Sequence, residues 1–362
     1  MHNFCIPSDF NLDTIEKLFV LNESSENYRV YETYGEMSNT QFSSGRINVP
    51  YTDISSLEKY IINSHNHGIK FDYLMNGLSF NNMELTLNGI KSIRSFIKQL
   101  DKISVDSITV SLPALVDIIQ EEDTKIAVNI STINQVSDVE TARIYDNKNI
   151  SRIVLSETIN RNFSQIELIK KNVSCELEVI VNSVCFIKCP WRIYHYNQIA
   201  QSRYDHLRDL ATNCYYTNKC FMRRLEDTAN YLKLAFIRPE DLHHYSTLGV
   251  KYFKVQGRQF IEKANIVKTL QAYFSRDYSG NIMSLLNCFA SKSNEVYIDN
   301  KELNGFITPF LGSDICAKGC KGCNHCREFI NKSCRTNLAK LDIIKEFISQ
   351  NDPYINLLKE SE

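Results

Sequence analysis

Three segments follow one another inside a single run of twenty-four residues: Ser107-Ile-Thr-Val-Ser111, Leu115-Val-Asp-Ile-Ile-Gln-Glu121 and Lys125-Ile-Ala-Val-Asn-Ile130. The outer two are short and rich in β-branched residues, which reads as strand, and the middle one has helical period. A strand, a helix and a second strand joined this closely form a crossover unit, and such a unit pairs its two strands in parallel. Working outward, six more strand-like runs recur at Asn3–Pro7, Arg29–Tyr34, Lys70–Met75, Arg152–Leu155, Glu176–Asn182 and Tyr252–Gln256. Helical segments fall between them. Leu57–His67 places Leu57, Tyr60, Ile61 and Ser64 on one stripe and ends at Gly68, a favourable residue just past a helix end. Leu87–Leu100, Asp138–Asp146 and Gln165–Lys171 continue the alternation. Eight strand-then-helix units close most economically into an α/β (β/α)8 TIM-type barrel, whose chemistry sits at the C-terminal ends of the strands. An open, doubly wound sheet is the competing arrangement.

Two regions stand outside this repeat. One is the long insertion 183–245 after the seventh strand, at the rim where a site is expected. The other is a Cys-rich C-terminal extension, 281–362, which contains an amphipathic helix over Leu338–Ser349 and is expected to pack on the barrel formed by residues 1–280.

Of the 362 residues, 43% are hydrophobic and 23% charged, so the chain can bury a substantial core and disorder is excluded. The formal net charge of −1 supplies no broad field toward nucleic acid or anionic membranes. Met1–Phe10 lacks an export signal and no apolar run has membrane-spanning length, which implies a cytoplasmic protein without membrane insertion. Twelve cysteines in such a chain point to metal ligation or core packing rather than to disulfides.

Their spacing forms two groups. The seventh strand runs straight into Cys185-Phe-Ile-Lys-Cys189-Pro190, and Cys214 and Cys220 follow in the same insertion. Thiolates converging from loops at a strand end suit a [4Fe–4S] cluster, and the same donors suit zinc. Cys185, Cys189 and Cys220 are the leading ligands and Cys214 the fourth, with Cys175 or His243 as substitutes. The second group is Cys316-Ala-Lys-Gly-Cys320-Lys-Gly-Cys323-Asn-His-Cys326, four thiols within eleven residues with two glycines for sharp turns. It reads as a second iron–sulfur cluster or a zinc site, with His325 as a possible substitute ligand. Cys5 and Cys288 are expected to fill core positions.

The exit of the seventh strand, together with Ile237-Arg-Pro-Glu-Asp-Leu242, Tyr245 and Phe253-Lys-Val-Gln-Gly-Arg258, resembles the signature regions of the U32 peptidase-like family. Weaker similarity at Lys70–Asn76 and Asn160-Arg161 extends the resemblance over roughly residues 1–280. The resemblance implies a barrel carrying a [4Fe–4S] cluster. In several branches it implies oxygen-independent hydroxylation of RNA bases or of a quinone precursor with prephenate as oxygen donor; protease activity is the older label. The chain departs from the hydroxylase branches in the short gap between Cys185 and Cys189 and in its extra C-terminal cysteines.

The remaining site candidates are cationic or aromatic. Lys254 and Arg258 at the exit of the eighth strand, together with Arg238, are expected to clamp carboxylate or phosphate groups. A structural ion pair from Arg258 to Glu240 or Asp241 is the alternative. Arg192 and His195 either steer substrate and protons or support the cluster sulfurs. Trp191, Tyr194, Tyr196, Tyr215 and Tyr216 either shield a cluster or stack on bases. No His-Glu-x-x-His or Gly-x-Ser-x-Gly motif occurs, so hydrolysis has little direct support. Three functions follow: an oxygen-sensitive iron–sulfur enzyme modifying a small-molecule or RNA substrate, a peptidase or peptide-modifying protein working with a protein partner, and a non-catalytic cluster scaffold.

Overall fold

The computed structural model describes residues 1–38, 40–46, 48–202, 215–289, 296–313, 315–317, 319–336 and 338–360. Eight parallel strands close into a barrel: β1 (His2–Pro7), β2 (Tyr28–Gly35), β3 (Lys70–Met75), β4 (Ser107–Val110), β5 (Ala127–Ile130), β6 (Arg152–Val154), β7 (Glu176–Ile180) and β8 (Tyr252–Lys254). The last strand closes on the first with Asn3, Phe4 and Cys5 opposite Tyr252, Phe253 and Lys254. The open sheet is thereby excluded. Each strand stands where its apolar run lies in the sequence.

Helices α1 (Leu12–Glu23), α2 (Ile54–Asn66), α3 (Leu87–Lys102), α4 (Pro113–Gln120), α5 (Val139–Asp146) and α6 (Phe163–Asn172) follow the first six strands. Their starts are written locally. Asn11, Asp53, Thr86, Asp138 and Asn162 each accept a hydrogen bond from a first-turn backbone N–H of α1, α2, α3, α5 and α6. On α2 the buried stripe is Leu57, Tyr60, Ile61 and Ser64, and Gly68 takes the left-handed conformation (φ +69°) that ends the segment.

Residues of alternate parity face the helices and the barrel interior. Phe4, Ile6, Phe71, Tyr73, Ile108, Leu177, Val179 and Phe253 pack outward in the main core. The register shifts between Phe4 and Cys5, which pair with Val30 and Glu32, so β2 carries an extra residue at Tyr31. This bulge explains why Tyr28 and Val30 join the outer core, whereas Glu32 and Tyr34, of the same parity, point into the barrel.

The C-terminal extension is tied to the barrel by the buried guanidinium of Arg238, which donates to Asn300 Oδ1 (2.9 Å), Leu303 O (2.6 Å) and Asn304 Oδ1 (2.7 Å). Among the described residues, no helix is long and apolar enough to cross a membrane.

Candidate active site

The barrel interior is charged. Arg152, on β6, pairs with Glu32 on β2 and lies 2.9 Å from Glu178 on β7, all three deeply buried. Its guanidinium also sits over the Tyr252 ring at 4.5 Å. Asp72 accepts hydrogen bonds from Ser107 Oγ (2.7 Å), Thr109 Oγ1 (2.6 Å) and Asn129 Nδ2 (3.2 Å). Burial pushes the Glu32 carboxyl up to about 7, against the pull of Arg152, and burial likewise raises Asp72. Cys5, Glu32 and Glu178 bring ligand atoms within 4.8 Å of one another. Arg152 already neutralises that trio, so an added cation would compete with a resident guanidinium.

Lys254 belongs to this interior rather than to the mouth. Its ammonium lies 4.1 Å from the centre of the Tyr34 ring, and its charge acts on Asp72 and Glu32 below. Tyr34 is fixed in turn by donating to Val255 O at 2.7 Å.

Above Tyr34 begins the rim. Arg258 follows Gly257, whose φ of +129° turns the chain at the exit of β8 in a way a side-chain-bearing residue resists. The guanidinium pairs with Glu36 at the exit of β2. The structural partner of Arg258 is therefore Glu36, not Glu240 or Asp241. Ser44 secures the same carboxylate from the other side with its backbone N–H (3.0 Å) and hydroxyl (2.7 Å). Two residues further on lies Arg46, half-buried, whose guanidinium has no hydrogen-bond or ion-pair partner among the described residues. Burial, then the neighbouring charge of Arg258, pull its pKa below the usual value, while Tyr196, Glu36 and Tyr34 act in the opposite sense. Two guanidiniums thus face one carboxylate, and the rim carries a net positive charge. Sequence reasoning missed Arg46 because it lies in an irregular loop far along the chain from the cysteines. The signal was Gly45 beside it: φ is +82°, and a Cβ there would come within 2.6 Å of the Ala200 backbone. The β2–α2 loop is pressed against the insertion at that point.

The insertion is hung on a short antiparallel ladder. Ile237 N–H donates to Val181 O (2.8 Å), Ala235 N–H to Cys185 O (2.8 Å) and Ile187 N–H to Lys233 O (3.1 Å). Asn160 and Arg161 hold the returning chain from below: Asn160 Nδ2 donates to Ile180 O and Ala235 O, and Arg161 to Leu232 O and Leu234 O. Cys185 is thereby set at the exit of β7. Cys189 and Cys220, the latter on the helix Tyr215–Glu226, pack beside it, and the three thiols are close enough to act on one another electrostatically. Burial, and then the Glu157 carboxylate, push the Cys185 thiol well up; burial raises Cys220. The proposed fourth ligand, Cys214, lies outside the described residues. Of its two substitutes, Cys175 stands at the opposite end of β7 with its N–H bonded to Asp146, and His243 bonds the Glu240 carbonyl through Nδ1. Neither is at the thiol group.

Glu157, at the exit of β6, organises the neighbourhood. It accepts from Ser183 Oγ and from the Tyr196 hydroxyl at 3.4 Å, and it lies 3.7 Å from Arg192 Nε. Burial works against the charged form of Arg192, but Glu157 and Cys185 together hold its pKa above the usual range. Arg192 also donates to the Phe186 carbonyl (2.5 Å) and to Gln135 (3.2 Å), so it braces the cysteine loop. His195 is kept neutral: burial, then Arg46, lower its pKa to about 4. Its ring lies 5.9 Å from that of Tyr216. Tyr194 points to solvent, and Tyr215 contacts Tyr354 in the C-terminal extension at 4.6 Å. Cys288 is buried and receives a hydrogen bond from Asn182 at 3.3 Å, while Cys5 sits in the charged interior instead of an apolar core.

Fold and rim together define a closed parallel barrel with a thiol group and two arginines, Arg46 and Arg258, at the C-terminal ends of its strands. The model of peptidase family U32 matches residues 37–295, and the chain belongs to that family. A protein described as an uncharacterized protease from Methanocaldococcus jannaschii is 33% identical over 340 residues, covering 92% of this chain and 98% of the relative. The solved structure of the U32 peptidase Mk0906 superimposes with a TM-score of 0.52 at 16% identity, over 71% of this chain and 94% of that one; it shares the fold.

Proposed function

We propose that the chain is an iron–sulfur enzyme that carries out oxygen-independent modification, hydroxylation in the first instance, of a small organic or RNA substrate bearing a carboxylate or phosphate. Cys185, Cys189 and Cys220 would hold the cluster, with Cys214 completing the set. When bound, the cluster would supply a redox-active, Lewis-acidic iron at the floor of the rim. The protein's own residues do the rest. Arg46 and Arg258 receive the anionic group, and Glu36, clamped by Ser44, fixes the plane of the Arg258 guanidinium. Tyr34 and the wall around Tyr196 limit water. His195, held neutral by burial and then by Arg46, is available as a neutral imidazole to hydrogen-bond the substrate.

The observation that supports this reading is the grouping of three insertion thiols at the exit of β7, on the same rim as Arg46, whose guanidinium has no ion-pair partner among the described residues. Arg238 is set aside as a clamp because the C-terminal extension engages all three of its guanidinium nitrogens. Binding of inorganic phosphate, prephenate and a short single-stranded RNA to the anaerobically purified full chain tests the pocket. Arg46→Met should weaken anion binding by about tenfold or more, equivalent to about 1.4 kcal/mol or above. Unchanged affinity for every probe would remove the pocket from the account. A peptide substrate is the second reading, favoured by the protease names of the relative and of the structural neighbour. Peptide cleavage that survives replacement of Cys185, Cys189 and Cys220 would establish it.

A further inference from the structure

We infer that Cys316, Cys320, Cys323 and Cys326 form a second [4Fe–4S] centre, independent of the rim group, whose negative charge is balanced by the buried side chain of Arg161. The ligand loop is built for convergence. Gly319 N–H donates to Cys316 O (3.1 Å) and Cys323 N–H to Cys320 O (3.2 Å), so two consecutive turns fold the chain that carries the thiols. Gly319 and Gly322 provide the left-handed conformations these turns need, with φ of +77° and +79°. Cys326 lies in the first turn of the helix His325–Ser333; burial raises its thiol pKa. Cys320, Cys323 and Cys326 have the C-x2-C-x2-C spacing with which ferredoxin loops hold a cubane, whereas zinc sites pair their cysteines from separate segments.

Arg161 is the independent observation. It is 4% exposed, and its three neighbours in the ring stack, Phe236, Phe306 and Phe310, lie 5.0, 4.8 and 5.6 Å from its guanidinium carbon. The terminal nitrogens reach only the carbonyls of Leu232 and Leu234, and Nε is buried with no hydrogen-bond partner among the described residues. A cation held this way without an ionised partner is costly. Burial lowers the pKa of Arg161, and Cys326, Tyr245, Cys316 and Asp241 act in the opposite sense; the two thiols carry full negative charge once a metal displaces their protons. His325 is not a substitute ligand here: its ring stacks on Phe306 and Nε2 contacts the Phe306 carbonyl at 2.8 Å, which fixes the helix start. Lys188, next to Cys189, donates to Cys316 O at 2.8 Å, so the two thiol loops brace one another.

Metal analysis of the full chain, purified and reconstituted without oxygen with ferrous iron and sulfide, tests the inference. Wild type should hold about eight irons and eight sulfides, and Cys320→Ser/Cys323→Ser about half of each, as should Cys185→Ser/Cys189→Ser. Loss of iron from the tail variant alone would uphold this inference and sink the proposed rim cluster; loss from the rim variant alone would do the reverse. Retention of one zinc by wild type that the tail variant lacks, with iron unchanged, would overturn the cluster assignment. Arg161→Met should lower the reduction potential of the tail centre at unchanged iron content, and Arg161→Lys should leave it near wild type. Equal potentials in all three proteins would show that Arg161 does not compensate the centre.

Discussion

Replacing Arg152 by leucine should destabilise the barrel in a strongly pH-dependent way. The guanidinium is the direct partner of Glu32 and Glu178, and Asp72 lies in the same interior with Lys254 as the other cation. Removing one partner of a buried ion pair costs about 3–5 kcal/mol, because the remaining charge is left without compensation. Protonation offers an escape. Glu32 already sits at about 7 in the folded protein against an ordinary 4.5, a difference equivalent to about 3 kcal/mol. Since the folded state holds that proton more tightly than the unfolded chain, the contribution is fully present below pH 4.5 and is lost as pH rises through 7. Without Arg152 the Glu32 carboxyl should rise further. Arg152→Leu should therefore cost about 3–5 kcal/mol at pH 8 and markedly less at pH 5, where Glu32 is protonated. Urea denaturation of the anaerobic apoprotein at both pH values measures this. An equal penalty at pH 5 and pH 8, or one below about 1 kcal/mol at pH 8, would refute the view that a guanidinium neutralises the barrel interior.

His195 should behave in the opposite sense. Its folded pKa of about 4 lies below the ordinary 6.5, so its contribution is present above pH 6.5 and lost as pH falls toward 4; His195→Gln should remove up to about 3 kcal/mol of acid sensitivity in that window. Indistinguishable stability profiles for the two proteins would contradict this. Gly45→Ala should destabilise by about 1–3 kcal/mol, through a left-handed backbone and a Cβ driven against Ala200, and should also weaken phosphate binding by displacing Arg46. A fully stable variant with unaltered binding would show that this contact does not position the loop.

The barrel was legible because strands covered on one side by helices need apolar outward positions, and Ile108, Val110, Leu177, Val179 and Phe253 supply them in uninterrupted local patterns. The placement of Cys185 and Cys189 at the exit of β7 was legible because the loop leaving that strand is written in contiguous sequence. The helix Leu12–Glu23 went unread; the exposed apolar residues Phe19 and Val20 between Leu18 and Leu21 blur the helical stripe of Ile15, Leu18 and Leu21. The charged interior was hidden for a different reason. Glu32 and Glu178 lie on strands separated by the whole circumference of the sequence, and only closure of the barrel brings Arg152 between them. The bulge at Tyr31 further masks the direction of Glu32, since simple alternation would group it with outward-facing Val30. Arg238 misled because an arginine in a rim motif reads as a ligand clamp, whereas its partners Asn300, Leu303 and Asn304 lie more than sixty residues away. Arg258 meets Glu36 for the same reason: the two lie 222 residues apart and are joined by closure of the barrel.

A crystal grown without oxygen and measured on both sides of the iron absorption edge addresses the rim directly. The account predicts a compact block of iron scattering bridging Cys185, Cys189 and Cys220, with an anion from the medium beside Arg46. Three thiols turned away from one another around ordinary solvent, or a lone zinc in their midst, would contradict it.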